Sequence, residues 1–263
     1  MSDPAVRLAV AVDEGPPGAP LLVLGNSLGT TAELWQPQLA TLRRHFRLVR
    51  YEHRGHGGSP APDGPYTIAG LGGDVLRLLD GLGAARVSYC GVSLGGMVGM
   101  WLAAHAPERV TALAVCCTSA RFPDQGFWTD RAARVRAGGL APLAEQVVGR
   151  WFTPAFAAHD PATPAHFVAT MRADVDPGGY AGCCDAIAGM DLRPALPAIT
   201  APTLVIAGSE DPATPPWHGA VIARAIPDSR LRVIRGAAHL ANVSEPGEVS
   251  AALTSHLLAA RAG

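Results

Sequence analysis

Short apolar runs recur along the chain, separated by longer stretches in which apolar residues return every three or four positions. The runs at 21–24, 46–51, 86–90, 110–116, 202–208 and 230–234 read as strands, several so apolar that both faces must be covered. Alternation over 5–12 reads as an edge strand, closed by a turn at 13–18. Helical periodicity follows the loop 25–30 as far as about Leu42, and marks 68–82, 97–105, 216–226 and 246–260. Strand and helix thus take turns up to Cys116 and again from Pro202, the signature of parallel strands with helices packed on both faces.

Between about Ala120 and Pro194 that alternation stops. The stretches 128–137, 141–152, 164–174 and 180–188 all have helical character, and 176–179 reads as a turn. A block of helix placed between two strands of a parallel sheet lies where strand ends and ligand sites meet. The expected organisation is an α/β core over 1–119 and 195–263 with an inserted helical cap, or lid, over 120–194. Aromatic residues gather in the cap, most of them expected in its own small core.

Composition narrows the function more than the fold. With 48% hydrophobic and 16% charged residues the chain is globular, and 263 residues suffice for a sizeable core. The net charge of -1 gives no reason to expect nucleic acid or an anionic membrane as partner. No apolar run is long enough to span a bilayer, and Met1-Ser2-Asp3-Pro4 lacks the basic start and apolar core of a signal peptide, so a cytoplasmic location is expected. All 21 basic residues are arginine, which excludes Schiff-base lysines, pyridoxal chemistry and a Walker A loop. The five cysteines include two adjacent pairs and no C-x-x-C, which suits buried thiols rather than a disulfide framework or a zinc site. No cofactor is expected.

Gly91-Val92-Ser93-Leu94-Gly95 follows the strand at 86–90 and opens a helix. A sharp strand-to-helix turn holds its central residue in a strained conformation and pushes the serine out at the carboxyl end of the strand. The glycines remove side chains that would collide as the two arms approach. Serine needs an adjacent base to act as a nucleophile. Asp211 and His239 follow later strands in the same way, and the imidazole–carboxylate pair is the partner set that such a serine requires. Alone, a G-x-S-x-G, a loop histidine or an Asp-Pro is often a turn or a surface group; the three together, in the order Ser, Asp, His, define a triad. Glu210 competes for the acid role, but directly after Ser209 it is expected to face outward. The backbone N–H of Leu94 and one from the 25–30 loop, that of Ser27, are the expected oxyanion donors. His53 and His56 are also spaced as metal ligands could be, yet the surrounding glycines suit a tight loop and no third ligand is near, so no metal is expected.

These motifs resemble the 3-oxoadipate enol-lactonases of the α/β-hydrolase fold. The resemblance is carried by Leu24 to Thr31 with Trp35, by Arg54-Gly55-His56-Gly57 with Ser59, by Gly91 to Met97, by His105 to Val110, by Gly179-Tyr180-Ala181 to Met190-Asp191-Leu192, and by Ala207 to Pro215. It covers nearly the whole chain. The Gly-Asn-Ser-Leu-Gly-Thr loop is the more telling part, because many relatives carry His-Gly there. Glu52-His53 departs from the more usual Asp-Thr before Arg-Gly-His-Gly. The resemblance implies a small lactone substrate, 3-oxoadipate enol-lactone, opened to 3-oxoadipate in aromatic-compound catabolism. It also implies that Trp128, matching the family's cap tryptophan, donates its indole N–H to the substrate carboxylate. Arginines 121, 131 and 134 are near in sequence, although such arginines usually occupy a solvated helix face. A general carboxylesterase or cofactor-free perhydrolase is the alternative within the fold, and a ligand-binding receptor the alternative outside catalysis.

Overall fold

A computed structural model describes residues 5–13 and 15–262. The sequence start at 1–4 and Glu14 of the expected turn lie outside the described residues. The strands are β1 (Val10–Asp13), β2 (Leu21–Gly25), β3 (Arg47–Tyr51), β4 (Val87–Val92), β5 (Val110–Cys116), β6 (Thr203–Gly208) and β7 (Ser229–Ile234). They form one sheet in the order β1-β3-β2-β4-β5-β6-β7. Only β1 runs antiparallel to its neighbour; the other pairs are parallel. Every residue of β4 and β6 is buried, as continuous apolar runs require of strands covered on both faces.

The core helices are α1 (Gln36–Leu42), α2 (Ile68–Gly81) and α3 (Leu94–His105) before β5. Helices α4 (Gly126–Gly138), α5 (Ala144–Val148), α6 (Pro154–His159), α7 (Ala162–Asp174) and α8 (Pro177–Ala188) then lie between β5 and β6. The core closes with α9 (Pro216–Ala225), α10 (Ala241–Ser244) and α11 (Pro246–Ala262). Helices α2 and α3 pack on each other, while α1 and α10 pack on α11; within the inserted helices α4 lies along α8 and α5 against α7.

Several boundaries differ from the sequence expectation for local reasons. The edge strand begins at Val10 rather than near Ala5, because β3 supplies partners only from there. The expected turn at 176–179 is instead the start of α8: Asp176 caps the helix by accepting from the Gly179 amide at 2.9 Å, and Pro177 occupies the first turn. The expected helix over 141–152 shortens to α5, and α6 follows, opened by Thr153, which accepts from the Phe156 amide at 3.2 Å. The insertion sits on the core through a close backbone approach, where a Cβ on Gly55 would lie 2.6 Å from Gly179 Cα. Among the described residues, no helix is long and apolar enough to cross a membrane.

Candidate active site

Strand β4 delivers Ser93 to a turn in which φ is 53° and ψ is -112°, a region that non-glycine residues rarely occupy. The turn closes because Gly91 packs onto the Gly95 backbone and Gly95 onto that of Gly25, with no room for a side chain at either place. The Ser93 amide donates to the Cys116 carbonyl at 2.9 Å, and the Ser93 carbonyl accepts from Thr118 Oγ1 at 2.7 Å. Strand β5 and the residues that follow it therefore help to hold the elbow.

Asp211 follows β6 and His239 follows β7. Asp211 Oδ2 lies 2.8 Å from His239 Nδ1, and the same oxygen accepts from Thr214 Oγ1 at 2.6 Å. Oδ1 accepts from the amides of Ala213 at 2.8 Å and Thr214 at 3.0 Å. Burial pushes the Asp211 pKa up, but His239 and the Thr214 donors outweigh it and hold the carboxyl down at about 2. Both side chains are buried, whereas Glu210 is exposed to solvent. With the carboxylate fixed on Nδ1, the imidazole presents Nε2 away from it.

Ser93 and His239 line a common cavity of about 390 Å³. Ser27 also lines it, and Leu94, the first residue of α3, directly follows Ser93. Among the described residues, no protein acceptor takes the amide of Ser27 or of Leu94. The wall from the inserted helices holds Trp128, Arg131, Arg150 and Tyr180. Trp128 Nε1 is buried and has no hydrogen-bond partner among the described residues, and the buried Tyr180 hydroxyl lies beside the Arg131 guanidinium. Arg131 makes no ion pair among the described residues; its guanidinium lies over the rings of Phe127 at 4.5 Å and Trp128 at 5.0 Å. Burial raises the Tyr180 pKa, and the nearby Arg131 charge opposes it. Asp124 adds one carboxylate to the lining, with Oδ1 accepting from the Phe127 amide at 3.2 Å.

Arg131 departs from the solvated face that the sequence suggests for it. A signal for this is present in the sequence: three positions after Trp128, it shares that residue's helix face. Arg121 instead pairs with Asp191 at 3.1 Å, and Arg134 is exposed away from this cavity. His218 has no motif that marks it. It lines the cavity with Nδ1 2.7 Å from Ser119 Oγ, and burial pushes its pKa down to about 4. His53 and His56 turn both of their engaged Nε2 atoms to the 26–29 loop, and among the described residues no cluster of three or more metal-ligating side chains occurs.

Comparisons with known proteins give the family. The model of the alpha/beta hydrolase fold family matches residues 20–246. The chain is 42% identical to 3-oxoadipate enol-lactonase 2 of Acinetobacter baylyi, over 86% of this chain and 84% of that protein. The crystal structure of the enol-lactonase from Burkholderia xenovorans LB400 superposes with a TM-score of 0.93 at 40% identity, covering 96% of this chain and 97% of that one. A thermophilic esterase from Thermogutta terrifontis, solved with malate bound, superposes at 0.89 with 27% identity, covering 97% and 94%. The chain belongs to the α/β-hydrolase fold family and, within it, to the 3-oxoadipate enol-lactonases. It is accordingly a hydrolase of carboxylic ester bonds.

Proposed function

We propose that the chain opens 3-oxoadipate enol-lactone, a five-membered enol-lactone with an acetate arm, to 3-oxoadipate as a step in aromatic-compound catabolism. One observation carries the choice of substrate: the cavity that holds Ser93 and His239 is walled by Arg131, which makes no ion pair among the described residues, by the buried Trp128 Nε1, which has no hydrogen-bond partner among them, and by the Tyr180 hydroxyl beside Arg131. Such a wall suits a small molecule carrying one free carboxylate. The enol-lactonase relatives supply the identity of that molecule.

In this reading His239 Nε2 takes the proton from Ser93 Oγ as the oxygen bonds to the lactone carbonyl carbon. The carbonyl electrons move onto oxygen, where the amides of Leu94 and Ser27 receive the charge. Removing one donor of this kind typically costs about 3 kcal/mol of transition-state stabilisation. Collapse breaks the ring C–O bond; the leaving enolate takes the proton back from His239 Nε2, which leaves the imidazole neutral, and the resulting enol ketonises while remaining attached through the acyl chain. Water gives a proton to His239, adds to the acyl-enzyme carbonyl, and Ser93 Oγ leaves with the proton returned. Asp211 stays ionised and stabilises the imidazolium. The inserted helices act as a lid that carries the carboxylate site.

The test is a comparison of kcat/KM on authentic enol-lactone and on p-nitrophenyl acetate. The lactone is expected to react much faster; the reverse ranking identifies a general esterase instead. Ser93→Ala is expected to abolish both reactions.

A further inference from the structure

The Asn26–Ser27 peptide carries a carbonyl on one edge and the Ser27 amide on the other. In a trans peptide these groups point in opposite directions within one plane, so whatever fixes the carbonyl also aims the amide. Two donors from different elements reach the Asn26 carbonyl: the Gly95 amide in the first turn of α3, at 2.9 Å, and His53 Nε2 from the loop after β3, at 3.0 Å. A carbonyl only accepts, so Nε2 carries the proton in that bond. His53 is buried, lies edge-on to the rings of Tyr51 and His56, and is kept neutral by burial, which pushes its pKa down to about 3.

The rest of the loop is held by other groups. Glu52 Oε1 accepts from the Ala32 amide at 2.9 Å and Oε2 from Asn26 Nδ2 at 3.1 Å. His56 Nε2 accepts from the Gly29 amide at 3.0 Å, while its Nδ1 donates to the Arg54 carbonyl at 2.9 Å. The two neighbouring histidines thus carry opposite tautomers. Of all these groups, only His53 and Gly95 grip the carbonyl that shares a plane with the Ser27 amide. A single hydrogen bond leaves that plane free to rotate about the bond; the second, from a different direction, fixes it.

We propose that His53 is a positioning residue of the oxyanion hole, its Nε2–H holding the Asn26 carbonyl so that the Ser27 amide faces the cavity beside Ser93. This rests on the reading of Ser27 as an oxyanion donor.

The test uses His53→Leu, which removes the donor, and His53→Gln, which keeps an N–H. Each is assayed for kcat, KM and inhibition by a trifluoromethyl ketone, which forms a tetrahedral oxyanion on the serine. Losing part of one oxyanion donor predicts that H53L lowers kcat by roughly 10–100-fold with KM nearly unchanged, and weakens the ketone by a similar factor. H53Q is expected to recover most of both. Wild-type kcat in H53L, unchanged ketone affinity in H53L, or an H53Q as poor as H53L would overturn the proposal. Should H53L fail to fold, nitrogen-15 NMR of the wild-type protein decides: His53 is expected as the Nε2–H tautomer, and an Nδ1–H tautomer contradicts the geometry. A ketone that fails to inhibit wild-type protein removes the catalytic reading of the site and this inference with it. Inhibition of wild type and H53L alike removes this inference alone.

Discussion

At the scale of single residues, the site is built so that each oxygen of Asp211 is fully engaged. One accepts from His239 and Thr214 Oγ1, the other from two backbone amides. Asp211→Asn keeps the shape but offers an amide N–H where an acceptor is needed, which selects the wrong imidazole tautomer; kcat is expected to fall by about 10⁴. The folded-state pKa of Asp211 is depressed to about 2, so its interaction with His239 is present across the working range and is lost only as pH falls through about 2. His218, with its pKa near 4, is likewise neutral above that value. Arg131→Met removes the cation that, under the proposed function, faces the substrate carboxylate. A hydrogen bond to a charged group is worth about 1.5–3 kcal/mol, so kcat/KM on enol-lactone should drop roughly 10–150-fold while p-nitrophenyl acetate is unaffected.

At the scale of elements, the inserted helices are tied to the catalytic loops at named points. Arg150 Nη2 donates to the Pro212 carbonyl at 2.8 Å, next to Asp211, and the Trp151 carbonyl accepts from the Leu240 amide at 3.0 Å, next to His239. On the other side the N-terminus of α8 meets the core where Gly179 touches Gly55, whose φ is +69°. Gly179→Ala places a methyl carbon on the Gly55 backbone. Overpacking of this kind costs about 1–3 kcal/mol, which for a domain of this size lowers Tm by roughly 2–10 °C, read by a thermal melt. A Tm equal to wild type would mean that the two segments separate easily. None of these three contacts is visible in the sequence. The α/β alternation is legible because buried parallel strands are largely apolar, and Ser93 and Asp211 are legible because each follows such a strand; His239 follows the half-exposed edge strand β7 and is legible from its place after them in the order Ser, Asp, His. Of the helices between β5 and β6, α5 and α6 are short, α4 and α7 are partly exposed, and the starts of α6 and α8 depend on caps, Thr153 and Asp176, that also suit turns.

At the scale of the whole molecule, the proposed function has the carboxyl ends of the strands supply the reactive groups and the inserted helices supply the discrimination. Pairing β5 with β6 in parallel brings segments far apart in sequence to one edge of the cavity. It leaves Arg131, Trp128 and Tyr180 in the same cavity as Ser93 and His239, an arrangement that depends on how α4 lies along α8 rather than on any motif. Under the proposed function this cavity recognises a small lactone by its free carboxylate. That recognition is tested most directly on the unmodified protein, by measuring kcat/KM for the enol-lactone and for the methyl ester of its acetate arm. Esterification removes the negative charge that Arg131 and the two donors would bind, so opening of the esterified lactone should be slower by at least roughly tenfold. Equal rates of ring opening for the two would contradict the account.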